Sequence, residues 1–285
     1  MKAQASCFGA GTIVNAIAIG KGAAFGLDLR ATATAEAKPE EFGVRSHVPG
    51  GVDPTLVQSG AERVLRRSGQ NAGLEVTVHS EIPISRGLKS SSAVANAVVL
   101  ASARALGIDI EPLDLIRIGV DAALDAGVTI TGAFDDACAS FLGGVVVTDN
   151  ISRKLVAVDR LPEGLSAVIR VPDRSITKPS LRGTDFGSIR AQVDEAFRLA
   201  LRGDYYAAIE ANSAAYAPLL GIDETPAIRA RAAGAVAAGI TGTGPAIIAL
   251  AKPARIDAVR KALDDGGSDV RVASLNTLTA REAIL

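Results

Sequence analysis

Histidine and cysteine are scarce in this sequence, and their scarcity excludes two kinds of site. The 285 residues include two histidines, His47 and His79, which are too few for a histidine-rich metal centre. The two cysteines, Cys7 and Cys138, lie far apart, which suits a reducing cytoplasm better than a disulfide framework. We therefore expect a cytoplasmic protein without structural disulfides.

An excess of positive charge is also absent. The 30 lysines and arginines are balanced by 31 aspartates and glutamates, and no basic run is interleaved with aromatic residues. Since affinity for nucleic acids depends on clustered positive charge, we expect no nucleic-acid partner. With 48% hydrophobic and 21% charged side chains, the composition is typical of one large globular unit or of two packed domains that share a cleft.

Two uncharged stretches, residues 3–20 and 232–251, could be mistaken for a signal peptide and a membrane span. Gly9, Gly11 and Asn15 interrupt the first stretch, and Pro245 with several glycines interrupts the second. These residues are poor material for an apolar helix, so we expect no membrane association.

Hydrophobic patterning predicts an α+β order with a soft domain boundary near residue 160. Before the boundary, the pattern predicts strands at 12–20, 23–37, 74–83, 144–150 and 154–161, and helices at 54–67, from 90, and at 112–127. After it, the pattern predicts a strand at 165–173, helices at 188–203, 204–221 and 225–239, a strand at 244–251, a helix at 253–267 and a strand at 269–275. The order of predicted elements after the boundary resembles the split βαβ arrangement.

The common nucleotide-binding motifs are missing. Gly20-Lys21 lacks the upstream glycine of a P-loop, and neither "GAGTIV" nor "GTGPAI" has the third glycine of a Rossmann fingerprint. G-x-S-x-G does not occur either. A nucleotide would have to bind through another loop.

The stretch "RGLKSSSA", residues 86–93, is a candidate for that loop, which we call the serine loop. Gly87 frees the backbone to turn, and Ser90 to Ser92 stand where a helix begins. The first turn of a helix has unpaired N–H groups and the positive end of the dipole, so it stabilises an anion. Lys89 adds a full charge, and serine hydroxyls can bind phosphate oxygens or Mg²⁺. The alternative is that one serine merely caps the helix.

Two further stretches carry polar groups in apolar surroundings or clustered glycines. In "TGAFDDACASFLGG", residues 131–144, Asp135 and Asp136 are adjacent carboxylates among apolar neighbours, at the predicted start of another helix. Such carboxylates are costly unless they cap a helix, bind a cation or accept a proton. In "GITGTGPA", residues 239–246, three glycines precede a predicted strand, and an ordinary tight turn is the alternative interpretation. We call this second stretch the glycine loop.

Together these three stretches resemble the superfamily of galactokinase, homoserine kinase, mevalonate kinase and phosphomevalonate kinase, the GHMP kinases. "PISRGLKSSSAVANA" is similar to the signature P-x-x-x-G-L-x-S-S-A, and the other two stretches follow in the family order. The resemblance implies a two-domain α+β fold with the active site between the domains. Residues 1–160 would form an N-terminal ATP-binding domain like domain 2 of ribosomal protein S5. Residues 161–285 would form a ferredoxin-like split βαβ domain.

Within the superfamily, "GAGTIVNAIAIGKGAAFGLDLRATA", "RGLKSSSA" and "TGAFDDA" most closely resemble the archaeal-type shikimate kinases. This resemblance implies ATP-dependent phosphorylation of shikimate to shikimate 3-phosphate, in the biosynthesis of chorismate and the aromatic amino acids. Two alternatives stay open. The first is another small-alcohol kinase such as homoserine kinase, and the second is a metabolite sensor that kept the fold and lost catalysis.

The resemblance also implies a role for individual residues. The catalytic aspartate falls on Asp136, counted back from Gly143-Gly144, and Mg²⁺ would be held by Ser91 or Ser92 and by Asp125. The phosphates of ATP would bind to the serine loop, which comprises Arg86, Gly87, Leu88, Lys89, Ser90, Ser91, Ser92 and Ala93.

The acceptor would contact Asp135 and the glycines and threonine at Gly242, Thr243 and Gly244. Shikimate is an anion, so its site needs a cation, and the candidates are Arg174, Lys178 and Arg182.

One departure from the family concerns a lysine. Mevalonate kinase reads P-G-K near its N-terminus, whereas this chain has Ala10-Gly11-Thr12. The lysine that pairs with the catalytic aspartate is therefore missing from that position. We expect Lys21, Lys178 or Arg182 to replace it, and catalysis to depend mainly on positioning and charge neutralisation.

Overall fold

A six-stranded sheet forms the framework of the N-terminal half. The computed structural model describes residues 1–176 and 179–281. The strands of the first sheet are β1 (Lys2–Val14), β2 (Lys21–Lys38), β3 (Gly43–His47), β4 (Gly73–Ser80), β5 (Val145–Asp149) and β6 (Lys154–Asp159). Their order is β3-β4-β2-β5-β6, with β1 paired along β2. All pairs are antiparallel except β3 with β4, which is parallel.

Four helices belong to this half of the molecule: α1 (Thr55–Ser68), α2 (Ser90–Ala105), α3 (Pro112–Asp125) and α4 (Phe134–Leu142). Helix α2 lies at the centre, against β1, β2, α1 and α3. Its residues are mostly alanine, serine and valine, and nearly all of them are buried. Small side chains let a helix approach its neighbours on every side, which explains why α2 is apolar all round.

The second sheet has four antiparallel strands, β7 (Ser166–Pro172), β8 (Ala237–Ile240), β9 (Ile247–Ala251) and β10 (Ser268–Ser274). Their spatial order is β10-β7-β9-β8. Helices α5 (Arg190–Leu201), α6 (Tyr205–Leu220) and α7 (Thr225–Ala232) connect β7 to β8, and α8 (Ile256–Leu263) connects β9 to β10. Short 3₁₀ turns lie at Pro49–Gly51, Pro179–Leu181, Phe186–Ile189 and Pro253–Arg255. The predicted α+β class and split βαβ arrangement are confirmed.

The two sheets share one apolar core. Ile13 and Phe25 of the first sheet belong to the same buried cluster as Ile248 of the second sheet and Tyr216 of α6. Gly11 lies in this contact, because a Cβ atom there would approach the Phe25 ring within 2.4 Å. A second cluster fills the space between the first sheet and α2, α3 and α4. Helix α2 contributes to both clusters, Ala93 to the first and Val98 to the second, so its N-terminal part is held by packing on both sides.

The predicted elements differ from the structure at three places. Strand β1 runs over Lys2–Val14 instead of 12–20, and residues 15–20 form turns. The helix predicted at 225–239 ends at Ala232, and the buried strand β8 follows it. Strand β3 was not predicted. The alanines and glycine of β8 read as helical, but they form a strand because α6 packs closely on them: a Cβ at Gly239 would lie 2.7 Å from Ser213 Cβ.

After β10 the chain returns to the first sheet, in a segment we call the return segment, residues 275–281. Asn276 N donates to Gly26 O (3.0 Å), and Gly144 N donates to Asn276 O (2.8 Å). Ala280 N donates to Phe141 O near the end of α4 (2.7 Å). The division near residue 160 falls in the link between β6 and β7 and stays a prediction, but the return segment lies against the N-terminal half.

Within residues 1–176 and 179–281, no helix has both the length and the hydrophobicity needed to cross a membrane. The two uncharged stretches contain β1 and the pair β8 and β9 instead.

Candidate active site

Helices α2 and α4 begin in the same unusual way. The residue that precedes each helix has a left-handed backbone, Lys89 with φ of 65° and Ala133 with φ of 49°. Neither helix start has a side-chain cap. The serine-cap and aspartate-cap alternatives are therefore wrong, because these side chains stand inside the first turn. The N–H groups of both first turns keep their capacity to bind an anion.

The serine loop and the glycine loop are in direct backbone contact. Gly87 has φ of 87°, and a Cβ atom there would lie 2.0 Å from Thr241 O. Thr241 Oγ1 donates a hydrogen bond to Gly87 O (3.0 Å). Only glycine fits this approach, so Gly87 fixes where the serine loop lies.

The end of β1 anchors the glycine loop. Thr12 Oγ1 accepts a hydrogen bond from Gly242 N (2.7 Å), and Thr12 N donates to Thr241 Oγ1 (3.1 Å). Asn15 Nδ2 donates to Gly242 O (2.8 Å). Thr12, which stands where mevalonate kinase has its lysine, thus holds backbone and carries no charge. Sequence reasoning did not assign Thr12 or Asn15 a role.

The cation that accompanies Asp136 is Lys89. Its Nζ lies 2.7 Å from Asp136 Oδ1, with the two side chains only 8% and 13% exposed. The lysine thus places a positive charge directly against Oδ1 of the aspartate.

Of the three cations expected from the sequence, the two that the structure describes, Lys21 and Arg182, do not pair with Asp136. Lys21 Nζ lies over the Phe197 ring, 5.7 Å from its centre, and Arg182 is exposed. Lys178 lies outside the described residues. The signal for Lys89 was present in the sequence, since the lysine directly precedes α2, but its left-handed backbone and its direction were not readable from it.

Asp135 has different surroundings from Asp136. It is buried, and its Oδ1 accepts a hydrogen bond from Asn150 Nδ2 (2.7 Å). Burial, and after it the negative charge of Asp136, raise the pKa of Asp135 to about 7, while Lys89 and Asn150 act in the opposite direction. The two adjacent carboxylates are therefore not equivalent: one is beside a cation and the other is beside an amide.

Two cavities meet at these residues. The larger has a volume of about 540 Å³, within the usual size range of small-molecule sites, and the smaller about 40 Å³. The residues that line both are Lys89, Thr129, Ala133, Asp136, Gly242 and Thr243. Asp136 and Lys89 thus stand at the junction of a large and a small compartment.

The large cavity has a polar end and an apolar end. Ser90, Ser91 and Ser92 line it next to Lys89 and Gly87. Its remaining lining includes the apolar side chains of Val48, Val52, Leu56, Val57, Pro83 and Ile84. This arrangement suits a ligand with an anionic end and a flat apolar end. In addition to the shared residues, the small cavity is lined by Asn15, Ala16, Ile17, Ile130, Thr131 and Asp135.

Several expected site residues lie elsewhere. Asp125 is half exposed, accepts hydrogen bonds from Ser59 (2.6 Å) and Arg63 (2.7 and 2.9 Å), and lines neither cavity. The Ser59 hydroxyl and then Arg63 lower its pKa. Asp125 thus lies away from both cavities, with Oδ2 already paired to side chains of α1, and its assignment to the metal stays a prediction without support from this geometry.

Among the expected cations and loop residues, Arg86 donates to Asp173 O (2.6 Å) and Arg174 to Gly221 O (3.1 Å). Neither these two side chains nor exposed Arg182 lines a cavity. Ala93 and Gly244 lie behind the lining, Ala93 buried and Gly244 against Ile222. Of the lysines and arginines in the described part of the chain, Lys89 alone lines either cavity.

Comparison with known proteins agrees with this geometry. The family model for the N-terminal domain of GHMP kinases matches residues 55–144, and the model for their C-terminal domain matches residues 224–269. Among solved structures, homoserine kinase from Cytophaga hutchinsonii superimposes with a TM-score of 0.77 at 23% identity, covering 98% of this chain and 96% of that one. Mevalonate kinase from Methanococcus jannaschii gives 0.75 at 13% identity, covering 96% and 98%. The fold is that of a GHMP kinase.

Curated relatives are more similar in sequence. Shikimate kinase from Methanothrix thermoacetophila is 43% identical over 281 residues, covering 99% of this chain and 96% of the relative. Shikimate kinase from Pyrococcus furiosus is 41% identical over 260 residues, covering 89% and 93%. The chain belongs to the GHMP kinases and, among them, to the family of the archaeal shikimate kinases.

Proposed function

We propose that the protein transfers the γ-phosphoryl group of ATP to a hydroxyl of shikimate and forms shikimate 3-phosphate, a step toward chorismate and the aromatic amino acids. The observation that carries the proposal is the position of Asp136 and Lys89 at the junction of the two cavities. The relatives that are named shikimate kinases support the choice of acceptor.

ATP occupies the large cavity in this proposal. Its adenine lies among the apolar side chains, and its phosphates lie along the serine loop. The first-turn N–H groups of α2, the serine hydroxyls and Lys89 are donors to the phosphate oxygens. The contact between Gly87 and Thr241 holds the loop in place before ATP arrives, so little ordering is required on binding.

The acceptor hydroxyl enters from the small cavity and meets Asp136. The hydroxyl oxygen forms a bond to the γ-phosphorus, the bond from phosphorus to the β–γ bridging oxygen breaks, and the hydroxyl proton moves to Asp136. Asp136 suits this role, because its carboxylate lines both cavities beside the Lys89 ammonium. Lys89 stabilises the carboxylate and the phosphate charge from one position, which is the contribution expected of a cation in phosphoryl transfer.

Mg²⁺ fits this site as a companion of ATP. The hydroxyl-bearing side chains of Ser91 and Ser92 and the carboxylate of Asp136 line the same large cavity. Mg²⁺ prefers oxygen ligands and takes several of them from substrate phosphates and water, so a few protein oxygens are enough. We assign Ser91 or Ser92 to the metal and leave Asp125 out. When bound, the ion neutralises charge on the phosphates.

The shikimate carboxylate needs a cationic partner. Of the cations expected for it from the sequence, Arg174 and Arg182 stand outside both cavities, as described above. Lys178 is the third of them. We therefore retain Lys178 as the proposed partner of the carboxylate. The two free, buried cysteines suit the reducing cytoplasm, where we place the protein.

A coupled assay of ADP release tests the proposal. Shikimate, homoserine, mevalonate and galactose are offered separately with ATP and Mg²⁺, and the Asp136→Asn variant serves as the control for contaminating kinases. We expect saturable ADP formation with shikimate, dependent on Mg²⁺, and none with galactose. Faster turnover of homoserine or mevalonate would overturn the acceptor and keep the kinase. If no acceptor yields ADP, the protein is a sensor and the proposal is wrong.

A further inference from the structure

The mechanism proposed above uses Asp136, one of the two adjacent carboxylates, and does not say which group of the acceptor Asp135 contacts. Asp135 is only 3% exposed, lines the small cavity, and has no ion-pair partner within the described chain. An ionised carboxylate that is buried without a cation is destabilising. Such a group has to be explained by the ligand that it contacts or by the side chains that hold it.

The side chains that hold Asp135 fix its direction. Asn150 Nδ2 donates to Asp135 Oδ1 (2.7 Å), while Asn150 Oδ1 accepts from Thr148 Oγ1 (2.7 Å) and from Asp135 N (3.3 Å). Asn150 N in turn donates to Gly20 O (2.9 Å). The amide therefore cannot rotate, and it presents its NH₂ group to the carboxylate.

A glycine closes the other side of the carboxylate. A Cβ atom at Gly22 would lie 2.3 Å from Asp135 Oδ2, so only glycine leaves room for this oxygen. Asp135 is thus clamped between Asn150 and Gly22, at the edge of the cavity that also exposes Asp136. A clamped polar side chain in a binding cavity is preorganised for one ligand geometry.

We propose that Asp135 binds a second hydroxyl of the acceptor, on the carbon next to the one that receives the phosphoryl group. This subsite rests on the function proposed above and defines its substrate class as a vicinal diol. The small cavity of about 40 Å³ holds the hydroxyl-bearing edge of the acceptor, not its whole ring. Two hydroxyls that reach carboxylates of adjacent residues in so small a space are carried by neighbouring carbons. Asn150 is a positioning residue, since it acts through Asp135.

Three acceptors and three variants test the subsite. The acceptors are shikimate, 4-deoxyshikimate, which lacks the hydroxyl next to the phosphorylated position, and 5-deoxyshikimate, which keeps it. The variants are Asp135→Asn, Asn150→Ala and, as a matched control on the same strand end, Asp149→Asn. Asp149 binds Ser152 N and lines neither cavity. Steady-state kcat/KM is measured for each pair, together with KM for ATP and a thermal melt.

For the wild type we expect kcat/KM to fall about 10- to 100-fold from shikimate to 4-deoxyshikimate, the range of a hydrogen bond to a charged group. Asp135→Asn is expected to lose a similar factor with shikimate and little more with 4-deoxyshikimate, at unchanged KM for ATP. Asn150→Ala is expected to lose less kcat/KM with shikimate than Asp135→Asn does. Like Asp135→Asn, it should no longer favour shikimate over 4-deoxyshikimate. Asp149→Asn is expected to behave as the wild type.

Equal losses by Asp135→Asn on all three acceptors would overturn the subsite and make Asp135 structural. Wild-type activity that is the same with and without the 4-hydroxyl would overturn it too, with the proposed kinase activity intact. A wild type that produces no ADP from shikimate would overturn the proposed function and the subsite together.

Discussion

Helices α2 and α4 have the same backbone geometry at their starts but carry side chains of opposite charge there. Both begin after a left-handed residue, both lack a side-chain cap, and both direct their first turn at the large cavity. The start of α2 carries hydroxyls and a lysine, whereas the start of α4 carries two carboxylates. The side chain of Lys89, which directly precedes α2, contacts Asp136 in the first turn of α4. The comparison teaches that an uncapped helix start only provides N–H groups, and that its side chains decide between binding an anion and accepting a proton.

The strongest test of this division removes the acceptor of the proton. Asp136→Asn keeps the shape of the side chain and cannot accept a proton, so we expect turnover to fall by about 100- to 10,000-fold. ATP binding and the thermal melt should stay close to those of the wild type. Asp135→Asn is the comparison, with an expected effect that is smaller and confined to the acceptor. A loss of turnover below about threefold for Asp136→Asn would remove this residue from the base role.

A second test breaks the link between the two helices. Lys89→Met removes the charge beside Asp136 and beside the phosphates, and we expect turnover to fall by about 10- to 100-fold, the size of one or two charge-assisted contacts. Lys21→Met, which removes a cation stacked on Phe197, is the matched control and should change turnover by less than about threefold. If the two variants were equally active, the pairing of Lys89 with Asp136 would not matter for catalysis.

The hydroxyls of α2 should have a moderate and specific effect. Replacing Ser91 and Ser92 together by alanine is expected to raise KM for Mg²⁺-ATP by about tenfold and to leave the acceptor KM nearly unchanged. Neither serine caps the helix. The free energy of unfolding should therefore fall by less than about 1 kcal/mol, which is the typical cost of a lost cap. Parallel melts and steady-state kinetics distinguish the two roles. A large loss of stability with normal kinetics would show that these serines have only a structural role.

The smallest effect is expected at Asp125. Asp125→Asn removes an exposed ion pair with Arg63, which contributes at most about 1 kcal/mol, and should leave the dependence of turnover on Mg²⁺ unchanged. A titration of activity with Mg²⁺, compared with a melt, measures both. A shifted Mg²⁺ dependence would restore the metal role that the family spacing implied.

The sequence predicted the positions of the two helix starts well, because glycine, serine and aspartate mark such places with local chemistry. It predicted β8 wrongly, since the alanines of Ala237–Ile240 carry no periodic signal and become a strand only through contact with α6. Spacing along the chain suggested Asp125 as a metal ligand, but it could not show that Arg63 lies beside this carboxylate. Lys89 was expected only to bind phosphate, since its second partner is 47 residues away and depends on one left-handed backbone angle.

The return segment has a consequence for how the protein is made. Helix α4 carries Asp136 in its first turn, and Phe141 near its last turn receives its hydrogen bond from Ala280. Gly144, just after that helix, is likewise bound by Asn276. On the ribosome, the aspartate emerges long before these partners exist. The support of α4 is therefore completed only when the return segment has been synthesised, and a nascent chain that stops at β10 has Asp136 and Lys89 but lacks the hydrogen bonds that hold the end of α4.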